Sequence, residues 1–363
     1  MSAATASNTD TTGPDGGHGG GADGPAGGHG PGPATRTSQR RWQALQRVNK
    51  STLLMLVVTL VVIVAFSVAT PTFLTGTNLR NVAVQVAPAL IVAVAMTFVI
   101  TAGMIDLSVG STLALVSVVG ASLLRTGMES VLVIVICLAV GALCGLVNGW
   151  FSSYQGIPSF IVTLATMSIV RGIALFITKG YSVAIGSGLI FAQIGQGRLL
   201  GLGYPAWLAL IAVVVGIVAL QRMRFGQYVT GIGSNEESVR RAGVDTRFVK
   251  MMALVLTGTA AGAAGIITAA RLGSGDANSG VDFAMTVITA VVIGGTNLLG
   301  GKGSVIGTAI GAVLTGVITN GLTLLGLSPY IVPIVTGSLL IIVIWINLRG
   351  GSLTELLRRR VTS

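Results

Sequence analysis

The sequence predicts an all-α integral membrane protein, and three observations support that fold class. Among its 363 residues, 52% are hydrophobic and only 9% are charged, whereas roughly a quarter of the residues in a soluble domain are charged. Apolar runs recur at about the 17 to 25 residues that a helix needs to cross the hydrocarbon core. These runs lack the alternation of apolar and polar residues that marks a membrane β-barrel.

We expect about ten transmembrane helices, of which the eighth is short or re-entrant. Each predicted helix is an apolar run bounded by glycine, proline or polar residues, as expected for spans joined by short loops. The candidate spans, in chain order, are residues 53–70, 81–101, 107–124, 131–151, 158–178, 204–221, 249–271, 283–297, 303–325 and 329–348.

The segments outside the spans have a different composition. Residues 1–48 form a Gly/Pro-rich tail with few large apolar side chains, so we expect a disordered cytoplasmic segment. The tail holds both histidines, His18 and His29, and two ligands are too few for a metal site. Residues 49–350 form the polytopic membrane domain, and residues 351–363 form a short basic cytoplasmic C-terminus.

Basic residues predict the orientation of the spans. Lys and Arg are enriched in the cytoplasmic loops of membrane proteins, and most of the 22 in this chain fall into three clusters. Because six and then four predicted spans separate the clusters, both termini are predicted to be cytoplasmic. The net charge of +11 then reflects topology and anionic lipid rather than nucleic-acid binding. The clusters are Arg36, Arg40, Arg41, Arg47 and Lys50; Arg222, Arg224, Arg240, Arg241, Arg247 and Lys250; and Arg349, Arg358, Arg359 and Arg360.

The loop between the sixth and seventh spans contains the most polar helix-like stretch of the membrane domain, GIGSNEESVRRAGV at 231–244. Ser234 followed by Glu237 fits a capping box, and Gly243 fits a left-handed helix stop. The acids precede the two arginines, which suits the helix dipole. A helix this short is marginal in isolation. Either it packs on the membrane face of its own protein or on a partner, or the segment is a solvated loop with one helical turn.

Two apolar runs are interrupted by glycines and polar residues, in MTFVITAGMIDLSVGS at 96–111 and in VVIGGTNLLGGKGS at 291–304. Each interruption is followed by an Asn-Gly pair, which begins at Asn148 in one half and at Asn320 in the other. Paired interruptions in two halves indicate an internal repeat whose helix breaks line a transport path. We therefore hypothesise a duplicated five-span unit.

Two charged residues lie within apolar segments. Asp106 sits at the first break, where a charge at mid-membrane would cost roughly 2.5 to 3.5 kcal/mol. Either it accepts backbone N–H groups at the start of the next helix or it contacts a solute. Arg171 lies inside the fifth predicted span, where it either snorkels to the interface or faces a pore.

Regularly spaced glycines and the two cysteines are interpreted as packing residues. Cys137 and Cys144 lie two helical turns apart, too far for a disulfide. Glycines at every fourth position give a helix a flat face on which another backbone can approach closely. These glycines are Gly141, Gly145 and Gly149; Gly258 and Gly262; and Gly303, Gly307 and Gly311.

The sequence lacks an ATPase motif of its own. Its nearest approach to a phosphate-binding loop is GTNLLGGKGS at 295–304, where an extra glycine precedes the lysine and another glycine follows it, against the GxxxxGK[ST] pattern. A nucleophile, base and orienting residue in a recognisable set are also missing. We expect a protein that is not an enzyme and whose energy source is another chain.

Long ordered motifs occur at residues 101–111, 148–175, 231–244, 249–274 and 291–327. Together they resemble the permease subunits of ATP-binding-cassette importers of the ribose, xylose and galactose type, over nearly the whole membrane domain. The resemblance implies a permease of the bacterial cell membrane that imports a monosaccharide or a related polar solute. It also implies a second permease copy or close paralogue, two cytoplasmic ATPase subunits or one fused tandem ATPase, and an extracytoplasmic solute-binding protein. ATP and Mg would then bind the partner ATPases, with no cofactor bound directly here.

Candidate residues are named for two sites, the first from the resemblance and the second from the chemistry of sugar recognition. The ATPase-coupling loop of the family matches residues 222–250, and its central positions are Gly231, Ser234, Asn235, Glu236, Glu237, Arg240, Arg241, Ala242 and Gly243. Recognition of a sugar needs hydroxyl and amide groups, so the candidate translocation path consists of Asp106, Ser108, Ser111, Asn148, Thr163, Thr166, Asn297 and Asn320.

The chain departs from the family pattern at two places. The family often has Pro-Glu-Ala after the asparagine of the loop, whereas this chain has Glu-Glu-Ser at 236–238, so which acid meets the ATPase stays open. The family also commonly carries Tyr-Glu-Leu-Asp before its Gly-Gly motif. The matching positions here are 283–286, with Ala284 and Thr286 in place of the two acids.

An ion-coupled secondary transporter of a small polar solute is the alternative function. Such a carrier would need an ion or proton relay at mid-membrane, and Asp106 is the only acid placed well inside a predicted span. The polar loop helix would also have no role in a carrier that works alone.

Overall fold

The computed structural model describes residues 50–186, 190–328, 330–335, 337–338 and 341. The predicted tail, the predicted basic C-terminus and most of the tenth predicted span lie outside these residues. The described chain folds into helices that are joined by short loops. They are α1 Lys50–Ala69, α2 Gly76–Thr101, α3 Val109–Arg125, α4 Ser130–Ser153, α5 Ser159–Thr178, α6 Ile190–Gln196, α7 Tyr204–Arg222, α8 Arg224–Arg241, α9 Thr246–Leu272, α10 Phe283–Ile293 and α11 Val305–Leu324.

The prediction of a helical membrane protein is confirmed in its coarse form. Among the described residues, six helices are long and apolar enough to cross a membrane, and three more are shorter apolar helices. Predicted spans one to nine all correspond to helices. The prediction for the eighth was too long, because α10 ends at Ile293, where two glycines follow.

The sequence analysis missed five small elements, four of them between α5 and α7 and one after α9. Helix α6 has seven residues, and four strands have two residues each: β1 Val183–Ala184, β2 Arg198–Leu199, β3 Leu202–Gly203 and β4 Ser274–Gly275. Strand β1 pairs antiparallel with β4, and β2 pairs antiparallel with β3. Elements this short leave no hydrophobic period to read.

Helices α2, α9, α10 and α11 form the buried centre of the described chain. The apolar windows of α2, α9 and α11 are 72%, 61% and 61% buried, whereas those of α4, α5 and α7 are 28%, 22% and 22% buried. The outer helices therefore turn most of their apolar side chains away from the centre, toward lipid or another chain.

The predicted glycine stripes are confirmed as packing surfaces. On α4, a Cβ added at Gly141 would overlap the carbonyl oxygen of Gly258 on α9, and a Cβ at Gly145 would overlap that of Leu254. The stripe on α11 behaves likewise, since a Cβ at Gly307 would overlap the carbonyl oxygen of Gly294. Backbones this close leave no room for a side chain. Cys137 and Cys144 are both free thiols, as expected.

The two breaks are alike at their first residues. Two residues after the last residue of α2 lies Gly103 at φ 78°, and two residues after the last residue of α10 lies Gly295 at φ 87°. The two Asn-Gly pairs occupy different places, because Asn148 lies on the second helix after its break and Asn320 on the first. The duplicated five-span unit stays a prediction.

Replacement of Gly145 by Leu is expected to lower the free energy of unfolding by about 1 to 3 kcal/mol, because the added side chain has no space between α4 and α9. The measurement is the thermal unfolding midpoint of the detergent-purified protein. Gly172→Leu is the matched control, since a Cβ at Gly172 meets no atom within 4 Å. Equal effects of the two substitutions would contradict the packing role.

Candidate functional site

The polar stretch forms helix α8, which is bent at Asn235 (φ −161°, ψ 96°). The expected cap at Ser234 is wrong, because the Ser234 hydroxyl donates to the Thr230 carbonyl at 3.0 Å and belongs to the first part of the helix. Asn235 is the cap of the second part, since its Oδ1 accepts the Ser238 N–H at 3.0 Å. A side-chain oxygen that accepts from three residues ahead is the usual N-cap geometry.

The second part of α8 ends at a glycine stop, as predicted. Gly243 has φ 85°. Its N–H donates to the Arg240 carbonyl at 3.0 Å, and the Val244 N–H donates to the Val239 carbonyl at 3.4 Å. This pair of bonds is a Schellman motif around the cap residue Ala242. The end of the polar helix is therefore fixed by local chain geometry.

The two acids of the loop point to different partners. Glu236 accepts from the Thr246 hydroxyl at 3.0 Å and from Lys250 Nζ at 3.1 Å, so it is tied back to α9. Glu237 pairs with Arg240 and Arg241 within α8, and all three side chains are largely exposed. Exposed pairs of this kind add little to stability. They present a mixed-charge surface to anything that covers α8.

The sequence analysis missed Phe248, which adds an apolar group to this surface. Phe248 lies in the first turn of α9 and is 49% exposed. Its N–H is capped by Asp245 Oδ1 at 3.0 Å. An exposed aromatic side chain beside a charged helix is typical of a protein interface. Since one Phe in an apolar chain carries no special signal, only its exposure identifies it.

The first break is organised around the buried carboxylate of Asp106. Its Oδ1 accepts the Ser108 N–H at 2.9 Å and the Ser108 hydroxyl at 2.7 Å, and its Oδ2 accepts the Thr257 hydroxyl at 2.8 Å. Asn148 Nδ2 donates to the Ser108 hydroxyl oxygen at 2.8 Å. Asp106 is fully buried. It therefore holds the start of α3. This is the first of the two alternatives given in the sequence analysis, in which Asp106 accepts backbone N–H groups at the start of the next helix.

Helix α5 fixes the same segment from the other side. The Ile105 N–H donates to the Ser159 hydroxyl at 3.1 Å, and the Thr163 hydroxyl donates to the Ile105 carbonyl at 3.3 Å. The structure thus brings Asp106, Ser108, Asn148 and Thr163 around one stretch of extended chain. Most of their polar atoms bond to the backbone or to one another, as expected of buried polar groups. The Asn148 Oδ1 is the exception in this cluster, since it is buried without a hydrogen-bond partner among the described residues.

The two candidate path residues in the second half of the chain, Asn297 and Asn320, lie away from the Asp106 cluster. Asn297 Nδ2 donates to the Gly300 carbonyl at 3.1 Å, and its Oδ1 accepts the Leu299 N–H at 3.2 Å, so its side chain shapes its own turn. Asn320 exchanges two amide hydrogen bonds with Asn78, at 2.9 and 3.0 Å. The structure does not bring these two residues to the Asp106 cluster.

Helix α8 and both breaks meet at one junction of backbones. The Gly301 N–H donates to the Thr101 carbonyl at 2.9 Å, which joins the second break to the end of α2. A Cβ at Gly233 would overlap both the Thr101 oxygen and the Gly301 nitrogen. The first part of α8 therefore lies directly on that hydrogen bond. We define Gly233, Thr101 and Gly301 as the glycine junction.

A small cavity of about 60 Å³ lies beside the first break. Ser111, Arg171 and Ala284 line it, and it is smaller than the roughly 300 to 1,000 Å³ of ordinary ligand pockets. Thr166, another of the candidate path residues, is buried on α5, one helical turn before Val170. Arg171 has no ion-pair partner among the described residues. Its guanidinium is thus left free at a cavity wall.

Comparisons with known proteins agree on one family. Residues 78–344 match the family described as branched-chain amino acid transport system / permease component. The chain is 37% identical over 295 residues to the ribose import permease protein RbsC of Escherichia coli (strain K12), which covers 80% of this chain and 92% of that protein.

Two further relatives are named for other sugars. The L-arabinose ABC transporter permease protein AraH of Azospirillum brasilense is 33% identical, over 86% of this chain and 92% of its own length. The D-allose transport system permease protein AlsC of Escherichia coli (strain K12) is 32% identical, over 78% and 87%. No solved structure matches the chain significantly.

Two substitutions of Asp106 are expected to show whether the fold needs its hydrogen bonds or its negative charge. Asp106→Ala removes the acceptor of the Ser108 N–H and of the Ser108 hydroxyl, and each unsatisfied buried donor costs about 1 to 3 kcal/mol. The Thr257 hydroxyl keeps the Leu254 carbonyl at 2.9 Å as an acceptor. Asp106→Asn keeps one carbonyl oxygen for the Ser108 N–H and is expected to cost less. Thermal unfolding in detergent measures both. If Asn is as damaging as Ala, the charge itself is required.

Proposed function

The chain belongs to the family of branched-chain amino acid transport system / permease components, and from its similarity to permeases named for sugars we propose that it imports a monosaccharide as part of an ATP-binding-cassette importer. It is a membrane-embedded transport subunit and not an enzyme. The relatives named for ribose, L-arabinose and D-allose favour a pentose or hexose as the solute. The ATP would be hydrolysed by partner subunits.

Helix α8 acts as the coupling helix of this importer. It joins the ends of α7 and α9, and the basic residues around it favour a cytoplasmic position for this face and for both termini. Glu236 is engaged by Lys250 on the same chain, which leaves Glu237, Arg240 and Arg241 to meet an ATPase groove. Phe248 would add the apolar anchor that such interfaces usually contain.

The observation that carries this proposal is the glycine junction. Any displacement of α8 by an ATPase acts on the Thr101 carbonyl and on the second break through backbone contact, because Gly233 has no side chain to yield. Thr101 ends α2, and the Asp106 segment follows it directly. Closure of the ATPases would therefore reach both helix breaks through a single contact.

The translocation path runs beside the first break, along Ser111, Arg171 and Ala284. An arginine on a span that is otherwise mainly apolar is costly unless it faces water or a counter-charge. Its cavity is too small for a sugar in one chain, so the path is completed by a second copy of the permease or a close paralogue. Helices α4, α5 and α7 offer largely exposed apolar faces for such a contact. An extracytoplasmic binding protein would deliver the solute.

Reconstituted transport tests the function. The permease with its cognate ATPase and binding protein in vesicles is expected to accumulate labelled D-ribose only when ATP is supplied. Unlabelled L-arabinose or D-allose should compete, and L-leucine should not. Competition by L-leucine would favour the amino acid branch of the family. Uptake driven by an ion gradient without ATP would show that the chain is a secondary transporter.

Removal of the exposed charges is expected to uncouple the ATPase. The triple substitution Glu237→Ala, Arg240→Ala and Arg241→Ala should lower the amount of co-purified ATPase about tenfold or more, since a buried interface ion pair that loses a partner costs 2 kcal/mol or more. Arg125→Ala is the control, because Arg125 lies at the far end of α3. If the triple variant retains the ATPase, α8 is not part of the interface with the ATPase.

A further inference from the structure

Three arginines that lie far apart in the sequence gather at one cavity. Arg80 from α2, Arg198 from β2 and Arg271 from α9 line a space of about 490 Å³, which is within the usual size of ligand pockets. None of the three belongs to the basic clusters that predict the cytoplasmic face. The cavity is therefore a separate concentration of positive charge.

The ends of the helices show at which face the cavity lies. Helix α8 connects the end of α7 to the start of α9, whereas the cavity is lined near the start of α7 and by the last turn of α9. Since α7 and α9 are both long enough to cross a membrane, the cavity and α8 lie at opposite faces. Arginines at the face opposite the coupling helix run against the usual distribution of positive charge.

The residues that line the cavity suit an anion. Its lining contains the amides of Asn81, Gln85 and Gln196 together with the arginines, and no Asp or Glu. The ion pairs recorded for the described residues all lie in or next to α8, so none of the three arginines has a carboxylate partner. Three uncompensated guanidinium groups with amide donors favour phosphate or carboxylate oxygens.

The hairpin beside the cavity carries exposed apolar residues in an unfavourable conformation. Strands β2 and β3 are joined by Leu200 and Gly201, with φ 52° and 80°. This is the geometry of a type I′ turn, where Asn or Gly is preferred at the first position. Leu200 is nevertheless 87% exposed, and Leu199 is 52% exposed. An exposed apolar side chain on a strained backbone would be unfavourable in water. The tip of the hairpin is therefore expected to lie in an apolar environment.

Aromatic residues place this hairpin at the membrane boundary. Tyr204 and Trp207 lie in the first turn of α7, and such residues are enriched where membrane and water meet. Trp207 Nε1 donates to the Leu199 carbonyl at 3.1 Å, which ties the hairpin to the helix. Below them, α7 exposes Leu208, Ile211 and Val215. An apolar surface suited to acyl chains thus continues from the cavity.

We propose that the cavity of Arg80, Arg198 and Arg271 binds the phosphate of an anionic phospholipid, in the leaflet opposite α8, with the Leu199–Leu200 tip against its acyl chains. A free phosphate or a carboxylate of a partner protein would satisfy the arginines alone. Only a lipid also accounts for the exposed leucines and the apolar side of α7. The site is independent of which solute the permease carries.

Lipid binding to the delipidated protein in detergent tests the proposal. Phosphatidylglycerol is expected to bind in native mass spectra and to raise the thermal unfolding midpoint, with phosphatidylcholine much weaker. The triple variant Arg80→Gln, Arg198→Gln and Arg271→Gln should bind phosphatidylglycerol roughly a hundredfold more weakly, since each basic residue near a membrane surface contributes about fivefold. Arg125→Gln, which lies outside the cavity, is the matched control and should bind normally.

Each other outcome overturns the lipid site. Equal binding of the two lipids, or normal binding by the triple variant, would show that the arginine cavity is not the lipid-binding site. An equal rise of the midpoint with inorganic phosphate alone identifies a free-anion site. If the triple variant is misfolded, which size-exclusion and co-purified ATPase report, the single variants answer the same question.

Replacement of the hairpin tip tests the apolar half of the site separately. Leu200→Asn suits the left-handed backbone and is expected to leave the thermal midpoint without lipid unchanged or higher, while the midpoint shift caused by phosphatidylglycerol becomes smaller. An unchanged lipid shift in this variant would show that the tip does not contact lipid and would overturn that part of the proposal.

Discussion

The constraint on which this structure depends is that backbone polar groups within a bilayer must find partners inside the protein. Helices meet it automatically, but the segments that follow α2 and α10 do not. The first is satisfied by its own Asp106 and by Ser159 and Thr163 from α5. The second is closed by its own Asn297 and by the Thr101 carbonyl. The polar residues of the apolar region are therefore explained first by the breaks that they stabilise.

The same constraint gives the breaks a mechanical role. A break held by a few specific hydrogen bonds has discrete arrangements, whereas a continuous packed helix resists change. Gly233 and Gly301 bring α8 against one such bond without an intervening flexible side chain. If α8 is the coupling helix, a short movement of it would be passed to the breaks rather than absorbed by side-chain rotation. This contact is a physical connection, which spatial proximity alone would not provide.

Local rules predicted what depends on local chemistry. The spans follow from hydrophobic length, Gly243 from the helix stop, and the role of Asp106 from the need to cap a helix start. The cap at Ser234 failed because contact with the breaks lets the first part of α8 continue through that residue. Asn320 pairs with Asn78, which lies 242 positions away, so no local pattern could show that contact, and the place of Asn320 on the translocation path stays a prediction. The meeting of three distant arginines is a property of the fold and leaves no trace in any one stretch of sequence.

The two missing family acids bear on the charge of the path rather than on its shape. Ala284 lines the same cavity as Arg171, and the Thr286 hydroxyl donates to the Asp282 carbonyl at 3.0 Å. An acid at position 284 would stand close to the guanidinium and offset its charge. With alanine there, no carboxylate lines the cavity beside Arg171, so a path along this cavity would carry a positive charge. A solute on the proposed path would meet a donor of hydrogen bonds, which suits hydroxyl oxygens and suits anionic groups even better.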